Sequence, residues 1–508
     1  MPTTTSARRC VPPLLRAGQR ALIAFLLLIT STVQARIEDK AWYLHESPHF
    51  QMLSDKRPDE AVDTLRELEL FRATIHRLTG FSDEQQSQHG IRVVALSHPR
   101  LIASLFDVQQ AAGFFQVSLE HNLLVMADIR TGLLEQNEIA FHEYVHYLQR
   151  TSTGTVLPSW YMEGLAEVFS TIRFEQDAAV VGNPPLSALV TLNNDGFTKP
   201  QRLLTPVSTT EIASNNRQRF YATAWLLAHY LFLSEEARAG AFGDGLTAYL
   251  KAVQDGATIK SALKTHLAMT PTQLGKQIRA YYRRGLPVFG MRLALDLDKE
   301  IVSRPLEEAE AALMLAEVTW ANRPKLGRRL FKKAARHSRY QQRALIGVAQ
   351  TQLRDKKVDL ALSTLSPLVA DESAAPKALL TYGRGLLRQC AGDDSGSCRD
   401  ATVVEKALSF YSRAHSAASD QFYINFEYGR VLASAGQYAA AIPKLERAAA
   451  LVPTFSETLR WLGYSHLRSG QFDVARRYLT AALARVVHDD AEREKIQVLL
   501  DQLEQRAG

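Results

Sequence analysis

The chain has very few cysteines. Of its 508 residues only three are cysteine, Cys10, Cys390 and Cys398. The last two lie in one short stretch, isolated from any other cysteine, so a zinc site built on cysteine is excluded. If the chain is exported, an even pair in an oxidising compartment predicts a disulfide between Cys390 and Cys398.

Long apolar runs are also missing, with one exception at the N-terminus. Residues 21–29 are apolar, follow four arginines and lead into small residues that end at Ala35. This pattern is typical of a signal peptide, residues 1–35, and an uncleaved anchor is the alternative. No later stretch approaches the roughly 20 apolar residues of a spanning helix, so we predict no transmembrane span in the mature chain. We expect an exported protein, either periplasmic in a bacterial envelope or secreted, and without a cysteine at the cleavage site a lipid anchor is not indicated.

A strong excess of charge of one sign is missing as well. Removing residues 1–35 takes away four positive charges and no negative one, and the formal net charge falls from +7 to +3. Neither this balance nor any motif indicates nucleic acid as a partner. The stretch 323–343 is a local exception, because it is strongly basic and has no acidic residue. It fits an acidic partner or an anionic envelope surface, or else a solvated helix face.

A metal-binding motif is present. Residues 142–146 read HEYVH, so on a helix His142 and His146 lie one turn apart and face the same way. Two neutral imidazoles in this arrangement can bind one metal ion. Glu143 would point toward a water molecule on that metal and act as its general base. No serine or cysteine nucleophile is evident, and a metal-activated water needs none.

The segment 160–167, WYMEGLAE, supplies carboxylates for the same site. Pro158 suits a first helical turn, and Glu163 and Glu167 then share the face opposite an apolar stripe. Such a pair is mildly repulsive alone, but a nearby dication removes the repulsion. We predict Glu163 as the third ligand and Glu167 as an acceptor for a ligand histidine's free N–H, with the reverse assignment as the alternative. One Zn²⁺ per chain is the expected cofactor, although two histidines and a glutamate can also take other divalent ions.

HEYVH followed by WYMEGLAE resembles the gluzincin branch of the peptidase MA clan, in which a glutamate ligand follows HExxH. The resemblance covers roughly residues 40–285 and implies a zinc-dependent peptidase that hydrolyses a peptide or protein substrate. Relatives often carry a downstream tyrosine that hydrogen-bonds the oxyanion. The similar segment here, 220–225, implies Tyr221 in that catalytic role, and the alternative is a core tyrosine on an apolar helix.

One feature of the aminopeptidases in this branch is missing. They hold the substrate's free amine with a GAMEN-like segment upstream of HExxH, and nothing like it occurs at residues 113–118. The resemblance therefore supports an endopeptidase. Residues 113–118 and 123–126 instead indicate two short strands around a turn. Such an edge strand fits pairing with an extended substrate, or is an ordinary hairpin.

The second half of the chain repeats itself every 34 residues. Four pairs share this spacing: Gly429 and Gly463, Gly436 and Gly470, Ala441 and Ala475, and Ala448 and Ala482. The spacing resembles the tetratricopeptide repeat, which implies paired helices and a surface for a protein partner. A third unit would contain Gly383 and, in an insertion, the cysteine pair. Weaker units would start near 306 and 342, and residues 492–505 would form a capping helix.

The mature chain of about 470 residues is too long for one core. Strand-like segments at 49–53 and 91–96 flank an amphipathic helix over 59–78, whereas the pattern after Pro305 is almost wholly helical. We predict an α+β metallopeptidase domain over residues 36–290, followed by an all-α tetratricopeptide-repeat solenoid over residues 291–508.

These features predict an exported zinc metallopeptidase whose repeats bind substrate or a partner. The alternative is a catalytically inactive envelope scaffold or assembly protein that acts through its repeats. Glu143 is intact, and a decayed enzyme would be free to lose this base first, which favours the enzyme. A peptidase held inactive until a partner binds fits the sequence equally well.

Overall fold

The computed structural model describes residues 37–81, 90–108, 111–117, 119, 121–128, 137–153, 157–175, 178–205, 212–293, 297, 300–392, 398–486 and 490–507. The predicted signal peptide, residues 1–35, lies outside the described residues. Residues 37–39 form a short 3₁₀ helix, and residues 42–508 form one compact unit. None of the helices described is both long and apolar enough to cross a membrane.

A six-stranded mixed sheet organises the first half of the chain. The described strands are β1 (Tyr43–Glu46), β2 (Phe50–Ser54), β3 (Ile91–Leu96), β4 (Gly113–Val117), β5 (Asn122–Ala127), β6 (Arg173–Glu175), β7 (Ala178–Val181), β8 (Phe289–Arg292) and β9 (Val302–Pro305). The large sheet has the order β4-β5-β3-β2-β1-β9, and β6, β7 and β8 form a second, smaller sheet. Strands β2, β3 and β5 run parallel, while β4 pairs antiparallel with β5 at one edge. The predicted strands at 49–53 and 91–96 are therefore present, as is the predicted hairpin.

Helices cover this sheet and complete the α+β half. They are α1 (Pro58–Thr79), α2 (Arg100–Phe106), α3 (Glu138–Thr153), α4 (Ser159–Ser170), α5 (Leu186–Asn194), α6 (Pro200–Leu203), α7 (Ser214–Leu233), α8 (Glu235–Arg238), α9 (Gly243–Gln254), α10 (Ile259–Leu267) and α11 (Pro271–Arg284). Helix α1 begins with Pro58 and ends at Gly80, whose φ of 70° closes the last turn. Its apolar face packs on α3, where Phe71 stacks on Phe141 with ring centroids 4.0 Å apart. One core thus joins the sheet to the helix that contains HEYVH.

The large sheet continues past the predicted domain boundary at residue 290. Strand β9 pairs antiparallel with β1, with Tyr43 opposite Pro305. Its sequence, VSRP, lacks the alternation of apolar and polar residues that marks a half-buried strand, and all four residues are exposed. The sequence therefore contained no local signal for this sixth strand.

The second half is a series of helices that pack in consecutive pairs. They are α12 (Glu308–Thr319), α13 (Pro324–Ala334), α14 (Ser338–Arg354), α15 (Val358–Val369), α16 (Pro376–Ala391), α17 (Ala401–Ala417), α18 (Phe422–Ser434), α19 (Tyr438–Leu451), α20 (Ser456–Arg468), α21 (Phe472–Arg485) and α22 (Asp490–Ala507). Each pair packs on the one that follows it, and α22 packs on the last pair. Helix α22 corresponds to the predicted capping helix.

The 34-residue period has a direct structural counterpart. A Cβ added at Gly429 would lie 2.7 Å from Cγ of Leu445, and one added at Gly463 would lie 2.6 Å from Cγ of Leu479. Each glycine therefore marks a point where the two helices of a unit approach too closely for a side chain. Gly436, with a φ of 79°, closes the first helix of its unit in the left-handed conformation that glycine adopts without strain.

The cysteine pair lies between the helices of one unit. Cys390 is near the end of α16, Cys398 precedes α17, and the structure joins them as a disulfide with their Cα atoms 5.1 Å apart. Residues 393–397 of the insertion lie outside the described residues. The cross-link connects the two ends of this long turn.

Polar contacts tie the repeats to the first half and use part of the basic stretch 323–343. Arg92 on β3 and Arg343 both contact Glu317, at 3.1 Å and 2.5 Å. Arg323 contacts Asp107 at 2.7 Å. Within the stretch, Arg328 pairs with Asp355 and Lys333 pairs with Glu308. These ion pairs neutralise several of its charges, which favours the interpretation as a helix face.

Candidate metal centre

Helix α3 presents HEYVH because of how its apolar residues are spaced. Tyr144, Val145 and Leu148 are fully buried against the sheet and α1. His142 and His146 lie on another face of the same helix, toward α4. Because the two histidines are four residues apart, their imidazole rings lie on the same side of the helix, with centroids 4.7 Å apart.

Three donor atoms meet between α3 and α4. Nε2 of His142 and Nε2 of His146 are 3.0 Å apart, and Oε2 of Glu163 lies 3.4 Å and 3.3 Å from them. A tetrahedral zinc ion with bonds of about 2.0–2.1 Å separates neighbouring ligand atoms by about 3.3 Å. Within the described part of the chain, these residues form the one cluster of at least three histidine, cysteine or acidic side chains with metal-ligand spacing. The donor set therefore fits zinc.

The electrostatics of the cluster favour a cation. Burial alone would lower the pKa of His142, but a hydrogen bond to Glu163 and the charges of the neighbouring carboxylates outweigh it and raise the pKa to about 9. Burial raises the pKa of Glu163, yet hydrogen bonds from both histidines lower it well below its ordinary value. The cluster therefore favours a positive charge between the two rings, and a metal ion bound there would displace the proton from His142.

Glu167 lies behind His142 rather than among the three donor atoms. Its Oε1 is 3.7 Å from Nδ1 of His142, which is longer than a hydrogen bond. Burial raises the pKa of its carboxyl group. Of the two glutamates, Glu163 lies beside both Nε2 atoms, and Glu167 lies on the Nδ1 side of His142. The assignment of Glu163 as the third ligand stays a prediction.

Gln149 is a residue that the sequence reasoning missed. Its side chain is fully buried one turn after His146. Its Oε1 lies 3.1 Å from Nδ1 of His146, and its Nε2 donates to the backbone oxygen of Met162 at 3.1 Å. A glutamine three residues after a ligand histidine, on a helix with a buried face, was the available signal.

The two predicted catalytic side chains occupy different helices. Glu143 is half-buried on α3, directly after His142. Tyr221 is half-buried on α7, packs against the main core, and has its ring centroid 6.1 Å from that of Phe220. One turn after Tyr221, Ala224 contacts α4 at Gly164, where an added Cβ would lie 2.5 Å from the oxygen of Ala224. Tyr221 therefore belongs to the helix that packs directly on the helix carrying Glu163.

The edge strand β4 lies beside α3. The rings of Phe115 and Tyr147 have centroids 4.9 Å apart. A Cβ added at Gly113 would lie 2.9 Å from Cγ2 of Ile139. The β4 edge of the large sheet is thus held against the helix that carries the histidines, while Leu119 at its turn packs on the core of the repeats.

Comparison with known proteins gives a family match for part of the second half of the chain. Residues 432–496 match the family model for the tetratricopeptide repeat. The prediction of these repeats is confirmed, and they form a domain suited to protein interaction. None of the curated proteins compared with the chain matches it.

Solved structures with similarity to the chain include two proteins described as TPR proteins, and MamA. TTC0263, a thermophilic TPR protein in Thermus thermophilus, is 24% identical with a TM-score of 0.33, and the match covers 38% of this chain and 98% of that one. YrrB, a TPR protein with an unusual peptide-binding site, is 13% identical with a TM-score of 0.28, and the match covers 39% of this chain and 92% of YrrB. MamA from Desulfovibrio magneticus is 16% identical with a TM-score of 0.25, and the match covers 32% of this chain and 93% of the MamA chain.

Proposed function

We propose that the protein is a zinc-dependent metallopeptidase, with one Zn²⁺ per chain held by His142, His146 and Glu163. The observation that carries the proposal is the set of three donor atoms separated by 3.0–3.4 Å. These separations are those of ligands on a tetrahedral ion, and three protein ligands leave one position for catalysis.

The surrounding residues have distinct roles in this proposal. A zinc ion held there would supply Lewis acidity that makes a water molecule easier to deprotonate. Glu143 takes the proton from the attacking water and gives it to the leaving amine. Tyr221 donates a hydrogen bond to the developing oxyanion of the substrate, and β4 pairs with the extended substrate backbone. Because a GAMEN-like segment is missing from the sequence, we infer an endopeptidase.

The repeats bind the substrate or a protein partner in this proposal. A cluster of arginines on the first helices of two repeat units supports an acidic binding partner. Arg384 and Arg430 both contact Oε2 of the buried Glu427, at 3.0 Å and 2.9 Å. Arg388 lies near enough that the charges of Arg384 and Arg430 help to lower its pKa, after burial as the main cause. Two guanidinium groups on one carboxylate, with Arg388 nearby, leave a local excess of positive charge.

Export is part of the same proposal. The arginines and apolar run of residues 1–35 support a signal peptide, and the pairing of Cys390 with Cys398 suits an oxidising compartment. We place the protein in the periplasm or outside the cell.

A second candidate function is an envelope scaffold that acts through its repeats alone. The tetratricopeptide-repeat match favours it, because the repeats bind proteins without chemistry of their own. The two candidates differ in whether zinc-dependent hydrolysis occurs.

A library of peptides with degenerate sequence tests the enzyme directly. Residues 36–508, stripped of metal and then reloaded with one equivalent of zinc, are expected to generate new peptide N-termini that mass spectrometry detects. The metal-free protein should generate none, because the water would lose its activation. A zinc-loaded protein that cleaves no peptide in the library would favour the scaffold.

A further inference from the structure

The side-chain amide of Gln149 connects one proposed zinc ligand to the backbone that precedes another. The side chain is fully buried between α3 and α4. Its two ends contact His146 on its own helix and the oxygen of Met162 on α4, each at 3.1 Å. Met162 directly precedes Glu163, so the contacts reach both the second and the third ligand.

The orientation of this amide follows from hydrogen-bond chemistry. The backbone oxygen of Met162 can only accept, so the NH₂ end of Gln149 must face it. The amide oxygen is then the end that faces His146, and an oxygen can only accept from Nδ1. His146 therefore carries its proton on Nδ1.

This tautomer has a consequence for metal binding. A neutral imidazole protonated on Nδ1 has its lone pair on Nε2. Nε2 of His146 is the atom that lies 3.0 Å from His142 and 3.3 Å from Glu163. When zinc displaces the proton that Nε2 shares with Glu163, the lone pair is thus presented where the three donor atoms meet.

We propose that Gln149 is a positioning residue that prepares the zinc site, by holding His146 in the Nδ1-protonated tautomer and fixing the backbone next to Glu163. The inference rests on the proposed zinc site but concerns affinity for the metal rather than hydrolysis. It differs from the role predicted for Glu167, which lies near the other histidine at 3.7 Å. A neutral amide adds no charge to a cluster that already contains several carboxylates.

The test is the zinc dissociation constant of Gln149→Met, measured by competition with a chromophoric chelator. Methionine keeps the approximate shape of glutamine and cannot accept from His146 or donate to Met162. Affinity should fall about 10- to 100-fold, the usual effect of removing a hydrogen-bond partner of a ligand histidine. The absorption spectrum of the cobalt(II)-loaded variant should also change, because the ring is no longer fixed.

Two further variants separate positioning from general stability. Gln149→Glu restores an acceptor for His146, so its zinc affinity should lie closer to the wild type than to Gln149→Met. Gln350→Met alters a buried glutamine in the repeats and should leave zinc affinity unchanged. Wild-type affinity in Gln149→Met, or an equal loss in Gln350→Met, would overturn the proposal. Failure of the wild-type protein to bind zinc would instead reject the zinc site itself.

Discussion

Replacing Glu143 by glutamine is expected to reduce peptide hydrolysis by about a hundredfold or more, the lower range for loss of a general base. Glutamine keeps the size of the side chain but cannot take a proton from water. The zinc content should stay at one ion per chain, because the proposed ligands are His142, His146 and Glu163. Loss of turnover with metal retained is the combination that separates a base from a ligand.

The comparison needs both activity and metal content from the same preparations. Glu175→Gln, the same substitution at an exposed position on β6, serves as the matched control and should behave as the wild type. Cleavage by Glu143→Gln at the rate of this control would show that another group takes the proton.

Gly164→Ala is expected to destabilise the protein by about 1–3 kcal/mol, the usual cost of overpacking, and to weaken zinc binding. The new Cβ would lie 2.5 Å from the backbone oxygen of Ala224 and 3.0 Å from Cβ of Ala228. A backbone oxygen cannot rotate away, so α4 and α7 must separate. Glu163 is the adjacent residue and would shift with the helix.

Gly243→Ala is the matched control for this substitution. Gly243 begins α9, and an added Cβ meets no atom within 4 Å there. Alanine lowers the conformational entropy of the unfolded chain, so this variant should be neutral or slightly more stable. Thermal unfolding with and without zinc measures both effects. A Gly164→Ala protein as stable as Gly243→Ala would show that α4 and α7 are not in close contact.

The predicted metal ligands could be proposed from sequence because their spacing is local. The spacing of His142 and His146 corresponds to one helical turn, so α3 places their rings next to each other on one side of the helix. Glu163 required the second motif, WYMEGLAE, as well. Gln149 was missed because its role depends on Met162, a residue on another helix that no periodicity connects to it.

In the fold as well, features that depend on local sequence could be predicted, and features that depend on contacts between distant segments could not. The repeats were evident because each 34-residue unit repeats the same contacts, such as Gly429 with Leu445 and Gly463 with Leu479. The pairing of β9 with β1 joins segments from opposite ends of the first half, and the exposed residues of β9 gave no signal. The contact of Arg92 with Glu317, which ties the sheet to the repeats, likewise depends on tertiary structure.

The most direct test of the proposed zinc site is the metal content of residues 36–508 beside the variants His142→Ala and Glu163→Ala. Each substitution removes one of three donor atoms that lie 3.0–3.4 Å apart. We predict one zinc ion per wild-type chain and a loss of bound zinc in both variants. A wild-type protein without bound zinc after the metal is supplied, or unchanged stoichiometry in the two variants, would contradict this assignment.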